Sequence, residues 1–490
     1  MTTTIDTQPL TAWRDLVLAE IRTGSRLAGL FGTAHDDTTR LTAILAEPLR
    51  LVDTDLPAGQ RDYPALTPDV GAAFWYERAL HDLFGIVPTG HPRLDPLVLP
   101  LPEGADRPRP GALTRPDALH PTEDVLGRHV VGPGVFTIPH GPVRSGVFES
   151  VEYQVETPGE DVLFPQIRVH YKHRGIEKRF EGMTVADGVL LAERSEGIAS
   201  VAHALAYAHA VESLSGVVVP PAARLVRVLH AELERVANHL DVALRLCEAA
   251  GLAVAVARFG WHKECVLRLV SACCGNRFGR GVVVPGGVTA LPRPTADHLV
   301  TALGELERDI TGDERALMGT ASFLDRLRGT GPLPVELAAE FGALGPIGRA
   351  SGRGEDAREA DRDYQNLDAI TPPHTDAGDA MARLRVRWAE AHDSFDLANQ
   401  AVQRLTGTDT TTLRAPVDVS DGRGTGRAEA PQGEVVYVVE LADARIIRCH
   451  PRSASFHNLP LFHSVFAGDI LTDFPFIEAS FGLSIAGVVM

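Results

Sequence analysis

Apolar residues recur at helical spacing through much of the second half of the chain, and this pattern predicts several long helices. Further helices are predicted over residues 253–278 and 376–405, with a more polar one over residues 297–327. The clearest helix covers residues 222–248, whose apolar stripe consists of Leu225, Val228, Leu229, Leu233, Val236 and Leu240.

Strand-like patterns are shorter and lie on either side of this helical region. Residues 42–52 have strand-like apolar content and follow a helix predicted over residues 13–21, which indicates a small α/β domain at the front of the chain. Residues 146–155 and 435–441 alternate between apolar and polar positions and are predicted to be strands.

The composition divides the chain into two domains joined by a linker. Between residues 102 and 139, proline, glycine, arginine and aspartate alternate without any apolar period, which is typical of a linker or an extended arm. We predict a small α/β domain over residues 1–101 and a mainly helical domain with peripheral β-strands over residues 140–490. The fold class is therefore α+β.

The charge balance is acidic, since 47 basic and 64 acidic residues give a net charge of −17 at pH 7. This balance argues against a nucleic-acid partner. No apolar stretch reaches the length of a membrane span, so we predict only a peripheral membrane role. The five cysteines contain no C-x-x-C spacing, which favours reduced structural thiols over ligands of an iron–sulfur cluster.

Ionisable residues are concentrated between residues 170 and 212. This stretch reads H-Y-K-H-R-G-I-E-K from His170, A-E-R-S-E-G-I-A-S-V-A-H from Ala192 and Y-A-H-A-V-E from Tyr207. Charges at this density usually form a solvated surface. Here two glycines stand beside them and an apolar helical run follows, which favours a partly buried functional segment.

These motifs resemble the large subunit of membrane-linked nickel–iron hydrogenases and, equally, the forty-nine-kilodalton subunit of respiratory complex I, two families that share a fold. The resemblance continues to the C-terminus. At the front, W-Y-E-R-A-L-H-D-L-F-G-I at residues 75–86 closely resembles the thirty-kilodalton subunit of complex I and its fused counterpart in formate hydrogenlyase large subunits. That motif marks a family rather than chemistry, and Glu77, Arg78 and Asp82 are predicted to form ion pairs on one helical face.

The resemblance places the four metal-binding cysteines of the hydrogenases at Glu196, Ala199, Ser484 and Gly487. A nickel–iron centre needs soft thiolates that bridge both metals, and oxygen ligands do not replace them. Since all four positions lack a thiol, the sequence argues against nickel. A working nickel–iron hydrogenase is retained only as an alternative function.

The positions that form the quinone site of complex I are altered as well. The resemblance places Arg144 and Phe148 at the two histidines of the family's G-P-x-H-P-x-x-H-G stretch and Leu191 at its tyrosine. These three residues are candidate cofactor-binding positions in a remodelled cavity. A quinone is one acceptor for such a cavity, and another small acceptor is the alternative.

The remaining candidate catalytic residues suit proton transfer: Arg174, Glu177, Arg194, Glu196 and His203. The resemblance places Glu177 at a residue that relays protons beside the hydrogenase metal, and Glu196 in the former metal cavity. A buried carboxyl group without a neighbouring cation titrates near neutral pH, which suits a relay.

A structural alternative stays open for the same groups. Arg174, Lys178 or Arg194 would then hold the carboxylates ionised, with Arg144 as a further partner of Glu196. Under that interpretation His203 is a hydrogen-bonded core histidine.

A metal site on the long predicted helix is a weaker interpretation. His230, Glu234 and His239 do not have the H-E-x-x-H spacing of zinc proteases, so ion pairs along the helix are favoured.

The sequence thus predicts a subunit of a complex I-like or hydrogenlyase-like membrane-associated oxidoreductase, active only within the complex and binding no cofactor alone. Electrons would come from an iron–sulfur cluster in a partner small subunit and pass to a quinone or other small acceptor, with coupled proton transfer. Membrane subunits of a complex I-like or hydrogenase-4-like assembly are the other expected partners. The chain is expected in the cytoplasm, peripheral on the inner face of the cell membrane.

The rival from another class is a non-catalytic coupling or scaffold subunit. A cavity filled by Phe148 and Leu191 would favour the scaffold, whereas an open, polar-lined cavity beside Arg144 would favour catalysis.

Overall fold

The computed structural model describes residues 4–113, 119–122, 130, 132–144, 149–368, 370 and 372–490. The β-strands are β1 (Thr4–Thr7), β2 (Arg26–His35), β3 (Thr38–Ala46), β4 (Arg50–Leu56), β5 (Asp62–Pro64), β6 (Val87–Thr89), β7 (Phe136–His140), β8 (Glu152–Thr157), β9 (Phe164–Arg168), β10 (Val283–Val284), β11 (Gly287–Val288), β12 (Gly422–Ala430), β13 (Gly433–Ala442) and β14 (Arg445–Arg452). The α-helices are α1 (Leu10–Arg22), α2 (Phe74–Phe84), α3 (Ile176–Phe180), α4 (Val185–Ala192), α5 (Ser200–Ser215), α6 (Pro221–Ala249), α7 (Ala253–Cys274), α8 (Ala296–Met318), α9 (Ala321–Leu327), α10 (Val335–Phe341), α11 (Gly345–Arg349), α12 (Ala380–Leu405), α13 (Ala454–Asn458), α14 (Phe474–Phe481) and α15 (Ile485–Val488).

The front of the chain folds around a four-stranded sheet with the strand order β1-β4-β3-β2. β1 runs parallel to β4, and the other neighbours are antiparallel. α1 is fastened to this sheet by Trp13, whose buried indole Nε1 donates to the carbonyl of Val52 at 2.8 Å. The predicted first helix is thus confirmed, and the strand-like stretch 42–52 divides between β3 and β4.

The motif at residues 75–86 forms α2 and is closed by Gly85, whose φ of 68° is a left-handed conformation. The ion pairs predicted within this motif are wrong. Glu77 is buried and accepts hydrogen bonds from the backbone N–H groups of Leu66 and Thr67. The Asp82 carboxylate accepts three such bonds from residues 97–99, while Arg78 pairs with Asp95 at 2.9 Å. Because α2 is buried, its charged side chains stabilise neighbouring loops instead of each other.

Long helices form most of the second domain, and α6 confirms the clearest helical prediction. α7 ends four residues before the predicted position, because Gly275 takes a φ of 86° and its N–H bonds to the carbonyl of Ser271. A single helix over residues 297–327 is wrong, since α8 stops at Met318 and α9 starts at Ala321. Among the described residues, no helix has both the length and the apolar character needed to cross a bilayer.

The second domain also contains strands. β12, β13 and β14 form an antiparallel sheet, with the predicted strand 435–441 inside β13, and α5 packs on this sheet. β7, β8 and β9 form another antiparallel sheet, and β7 occupies the last part of the predicted linker. The predicted strand 146–155 includes residues outside the described ranges, and its end lies in β8. The observed mixture of helices and small sheets confirms the α+β fold class.

A buried ionic network holds α6, α11 and α12 together. The Glu390 carboxylate on α12 accepts a hydrogen bond from Arg349 Nε at 2.7 Å and contacts His239 Nε2 at 2.8 Å. Nearby, Arg358 contacts Glu232 on α6 at 3.1 Å. Burial by itself would raise the pKa of Glu390, but the charge of Arg349 and the bond to His239 hold that pKa well below its usual range.

We expect Glu390→Gln to destabilise the chain strongly, because the substitution leaves the buried Arg349 without a full counter-charge. Removing one partner of a buried ion pair typically costs about 3–5 kcal/mol. Since the folded-state pKa of Glu390 is depressed, this contribution is present above the pKa of a free carboxyl group and is lost as the pH falls through the folded-state value. Urea unfolding of the purified variant at pH 7 measures the loss.

The matched control is Asp325→Asn, which breaks an exposed pair with Arg328. Exposed pairs contribute less than about 1 kcal/mol, so this variant should unfold close to the unmodified chain. Equal unfolding midpoints for both variants would contradict the central role of the buried network.

Candidate functional site

Two segments that are far apart in the sequence meet at the predicted site. One is the loop between α4 and α5, and the other is the C-terminal segment that starts α15. Arg174 joins them: Nη1 donates to the carbonyl of Arg194 at 2.9 Å, and Nη2 donates to the carbonyls of Ser195 and of Ala486. Arg174 therefore links the backbones of the two segments by hydrogen bonds and is not the predicted ion-pair partner of a glutamate.

Glu196 lies at the centre of this junction and is only 1% exposed. Its Oε2 lies 3.0 Å from His203 Nε2, and its Oε1 accepts a hydrogen bond from Ser455 Oγ at 2.7 Å. The predicted partners Arg144 and Arg194 are wrong, because neither contacts this carboxylate. Arg194 instead reaches out of the site, with a side chain that is 52% exposed and bonded to the carbonyl of Leu190.

The Glu196 carboxyl group fills the space between the positions at which the resemblance places metal ligands. A Cβ atom built on Gly487 would lie 2.5 Å from Glu196 Cδ, so a side chain at residue 487 and this carboxyl group exclude each other. Ser484 is turned away, its Oγ donating to Glu149 Oε1 at 2.8 Å, and Ala199 is fully buried among apolar side chains. These residues do not fit a nickel–iron centre, because they offer no sulfur and no room.

His203 extends the network towards the β-sheet. Its Nδ1 lies 2.9 Å from the hydroxyl of Tyr437 on β13, and that hydroxyl contacts Ser195 Oγ at 3.2 Å. The ring of His203 is fully buried, which confirms the hydrogen-bonded core histidine. Sequence patterns did not identify Tyr437 or Ser455. The only sequence signal for Tyr437 is its place in an alternating strand. Ser455 lies in a short helix without a distinctive motif, so no signal points to it.

Glu177 has different partners from those predicted. It pairs with Arg448 and with His450, whose Nδ1 lies 3.3 Å away, while Lys178 pairs with Glu181 at 2.7 Å. Burial would raise the pKa of Glu177, but the positive charge of Arg448 and the contact with His450 lower it to about 2. Glu177 is therefore ionised at neutral pH, which contradicts titration near neutrality for this residue.

An open cleft of about 400 Å³ adjoins the Glu196 junction, and we refer to it as the Arg144 cleft. Its polar wall includes Arg144, Glu149, Tyr153, Asn238, Asp241 and Glu478, and its apolar wall includes Ile198, Phe462, Phe481 and Ile485. Arg144 Nη1 donates to Glu478 at 2.7 Å, and the Tyr153 hydroxyl donates to the same carboxylate at 3.0 Å.

Hydrogen bonds link this cleft to Glu196. The Ser455 hydroxyl that donates to Glu196 accepts the backbone N–H of Ser484 at 3.1 Å. Ser484 Oγ in turn donates to Glu149, which lines the cleft. The enclosed carboxyl group and the open cleft are thus two ends of one connected polar structure.

The candidate quinone positions that the structure describes do not line one cavity. Arg144 lines the cleft, whereas Leu191 packs on α4 against the cluster around α5. Phe148 lies outside the described residues. Leu191 therefore does not form the far wall of the cleft, contrary to the filled-cavity hypothesis.

The weaker metal interpretation on α6 fails on geometry. His239 faces Glu390, as described above. The Glu234 carboxylate accepts backbone hydrogen bonds from Val201 and Ala202. His230 is buried, with no hydrogen-bond partner for Nδ1 among the described residues. These three side chains serve different neighbours and do not converge on one point.

Comparison with known families matches residues 252–415 and 411–488 to the 49-kDa subunit of respiratory-chain NADH dehydrogenase, and residues 28–108 to its 30-kDa subunit. Formate hydrogenlyase subunit 5 of Escherichia coli is 27% identical over 440 residues, covering 88% of this chain and 77% of that protein. The carbon monoxide-induced hydrogenase of Rhodospirillum rubrum is 30% identical over 353 residues, covering 70% of this chain and 96% of that protein.

Structural comparison shows a shared fold. A chain of the membrane-bound sulfane sulfur reductase, an archaeal respiratory membrane complex, shares the fold with a TM-score of 0.68. The match covers 74% of this chain and 100% of that chain at 22% identity. The resemblance predicted from the sequence motifs is confirmed. The chain therefore belongs to the family of the 49-kDa subunit of respiratory-chain NADH dehydrogenase and its hydrogenase relatives, with a segment of the 30-kDa subunit family in front.

Proposed function

We propose that this chain is a subunit of a complex I-like or hydrogenlyase-like membrane-associated oxidoreductase and that it reduces a quinone or another small acceptor in the Arg144 cleft. The observation that carries the proposal is the open, polar-lined cleft beside a site where residues 196, 199, 484 and 487 offer no thiolate. Formate hydrogenlyase subunit 5 and the carbon monoxide-induced hydrogenase are the relatives that support a redox role.

Electrons enter from a partner subunit in this proposal. The five free cysteines are spread over α6, α7 and β14 and do not form a set of four thiolates. A bound iron–sulfur cluster in the partner supplies one-electron transfer to the cleft. The family's membrane complexes also support a position of this chain at the inner face of the membrane, held by other subunits.

The residues of the cleft have three tasks in the reaction. Arg144, fixed by Glu478, presents a guanidinium donor to an acceptor oxygen, and the Tyr153 hydroxyl donates to the same Glu478 carboxylate and holds it in place. Glu196 and His203 form a buried hydrogen-bonded pair that holds a proton and returns it towards the cleft as the acceptor takes up two electrons and two protons. The apolar wall keeps bulk water away from the acceptor ring.

A scaffold role is the second candidate function, and one observation favours it. The carboxyl group of Glu196 packs so closely on Gly487 that the former metal position is filled. In that case the cleft is a groove between subunits, and the chain couples conformational changes without chemistry of its own.

We expect the purified complex to contain no nickel in stoichiometric amount, because the ligand positions hold a carboxyl group, a methyl group, a hydroxyl and a glycine. Elemental analysis after expression in a host with complete hydrogenase maturation machinery measures this, with a nickel-containing hydrogenase from the same host as the positive control. Nickel near one atom per chain would contradict the proposal.

We expect a tightly bound partner with a cysteine-ligated cluster, docked near residues 170–179. A tagged chain recovered from the native membrane fraction should bring iron and sulfide with it. Tyr171 is exposed in this segment, so Tyr171→Arg should lower recovery of the partner at least about tenfold, a loss of about 1.4 kcal/mol of binding free energy. Val254→Arg, at an exposed position on α7, is the control and should leave recovery unchanged. An active complex without any iron–sulfur subunit would contradict this prediction.

We expect Glu196→Gln to lower electron transfer by roughly ten- to a thousandfold, with little change in the thermal midpoint, because glutamine keeps the shape but carries no transferable proton. Ser455→Ala is the matched control, since it removes one hydrogen bond to Glu196 and keeps the carboxyl group. Turnover and thermal unfolding of the assembled complex are both measured. A lower thermal midpoint with normal turnover per folded complex would instead support the structural role.

A further inference from the structure

A second cavity lies behind the Glu196 junction, between the start of α5, the middle of α6 and α7. Its volume of about 90 Å³ has room for several water molecules. It meets the Arg144 cleft at three residues that line both: Ile198, Asn238 and Asp241. Because Glu234 projects into its wall, we refer to it as the Glu234 cavity.

Glu234 is held in place by the first turn of the neighbouring helix. Its Oε2 accepts the backbone N–H of Val201 at 2.7 Å, and its Oε1 accepts that of Ala202 at 3.0 Å. These N–H groups belong to the first turn at the N-terminus of α5, where they have no partner within the helix and a negative charge is stabilised. The side chain is surrounded by protein yet stays partly accessible, and the accessible part faces the cavity.

The groups around Glu234 shift its pKa in opposite directions. Burial raises its pKa to about 8, and the negative charge of Glu196 adds to the increase. The two backbone N–H groups and the guanidinium of Arg235 lower it. Across the cavity, Asp241 is held ionised by Lys263 and Arg245, at 2.7 and 2.9 Å. Arg277 and His230 complete the charged or titratable lining.

Two buried polar atoms in the cavity wall have no hydrogen-bond partner among the described residues. They are Nδ1 of His230, which is 2% exposed, and Oδ1 of Asn238, which is 6% exposed. Buried polar atoms are nearly always satisfied by protein or by ordered water. Both therefore favour water inside the cavity, and Asn238 stands where the cavity joins the cleft.

We propose that Glu234 is a proton-carrying residue that supplies the Arg144 cleft through the water of the Glu234 cavity. The inference rests on the proposed function. A proton from solvent binds a carboxylate oxygen of Glu234, and the O–H bond then breaks as the proton passes through cavity water to the reduced acceptor. The acceptor gains two electrons from the partner's iron–sulfur cluster, one proton from Glu234 and one from the Glu196–His203 pair of the proposed function. Protons from solvent then return both donors to their starting states.

The first test follows the protonation of Glu234 without any activity. Infrared spectra of the purified chain are recorded between pH 6 and pH 10, and the spectrum of Glu234→Gln is subtracted. We expect a carboxylic-acid carbonyl band that disappears as the pH rises, with a midpoint near pH 8. A difference spectrum without this band would overturn the proposal.

The second test compares turnover of the assembled complex. Glu234→Gln should lower acceptor reduction by about a hundredfold and remove the decline in rate above pH 8, since a general acid acts only while protonated. Glu234→Asp restores a titrating group and should recover part of the rate. Glu77→Gln is the matched control, because Glu77 is likewise buried and accepts two backbone N–H groups but lies in the first domain.

The outcomes separate the two proposals. If the unmodified complex reduces no acceptor, the proposed function fails. If it is active, and Glu234→Gln matches its rate and pH profile, the role of Glu234 fails alone. If Glu234→Gln does not assemble, Glu234→Asp decides: a shifted pH profile supports the role of Glu234, and an unchanged profile with full rate overturns it.

Discussion

The contact between the Glu196 carboxyl group and Gly487 determines what this fold can hold at its centre. It joins the loop before α5 to the C-terminal segment, and it is possible only because residue 487 has no side chain. These are positions at which the resemblance places hydrogenase thiolates, and the residues found at 196 and 487 depend on each other. A larger residue at 487 would displace the carboxyl group, and a smaller one at 196 would leave a cavity at the junction.

An electrostatic contrast separates three buried carboxyl groups of this protein. Glu177 beside Arg448 and Glu390 beside Arg349 have lowered pKa values and are fixed charges. Glu234, held mainly by backbone N–H groups, has a pKa raised above its usual range by burial. Backbone dipoles offset only part of the cost of removing a carboxylate from water, whereas a full positive charge offsets more. The protein therefore contains both permanent charges and groups able to exchange protons.

The sequence predicted features that depend on local pattern and failed where distant residues decide. The apolar period over residues 222–248 was sufficient to identify α6, and the motif after α4 identified the segment that contains Glu196. The pairing of Glu177 with Arg448 and of Glu196 with Ser455 could not be predicted, because these partners lie more than two hundred residues further along the chain and become neighbours only when β14 and α13 pack. The end of α7 at Gly275 was missed because a second glycine, Gly279, follows shortly and the sequence favours it as the end of the helix, whereas the left-handed turn that ends α7 lies at Gly275.

The connection from Glu196 to the Arg144 cleft bears on how a redox fold could work without its metal. A metal centre combines electron transfer and proton binding at one point, and that point is filled here by a carboxyl group. The hydrogen bonds through Ser455 and Ser484 to Glu149 instead carry the polar connection outwards, to a cleft that is still open. In the proposed function, an acceptor bound in the Arg144 cleft lies near Glu196 and His203, the groups proposed to supply protons. Electrons from the partner subunit then need to reach only this cleft and not the buried centre. The proposed function therefore places the chemistry in the cleft and gives Glu196, at the former metal position, the role of positioning groups and donating protons.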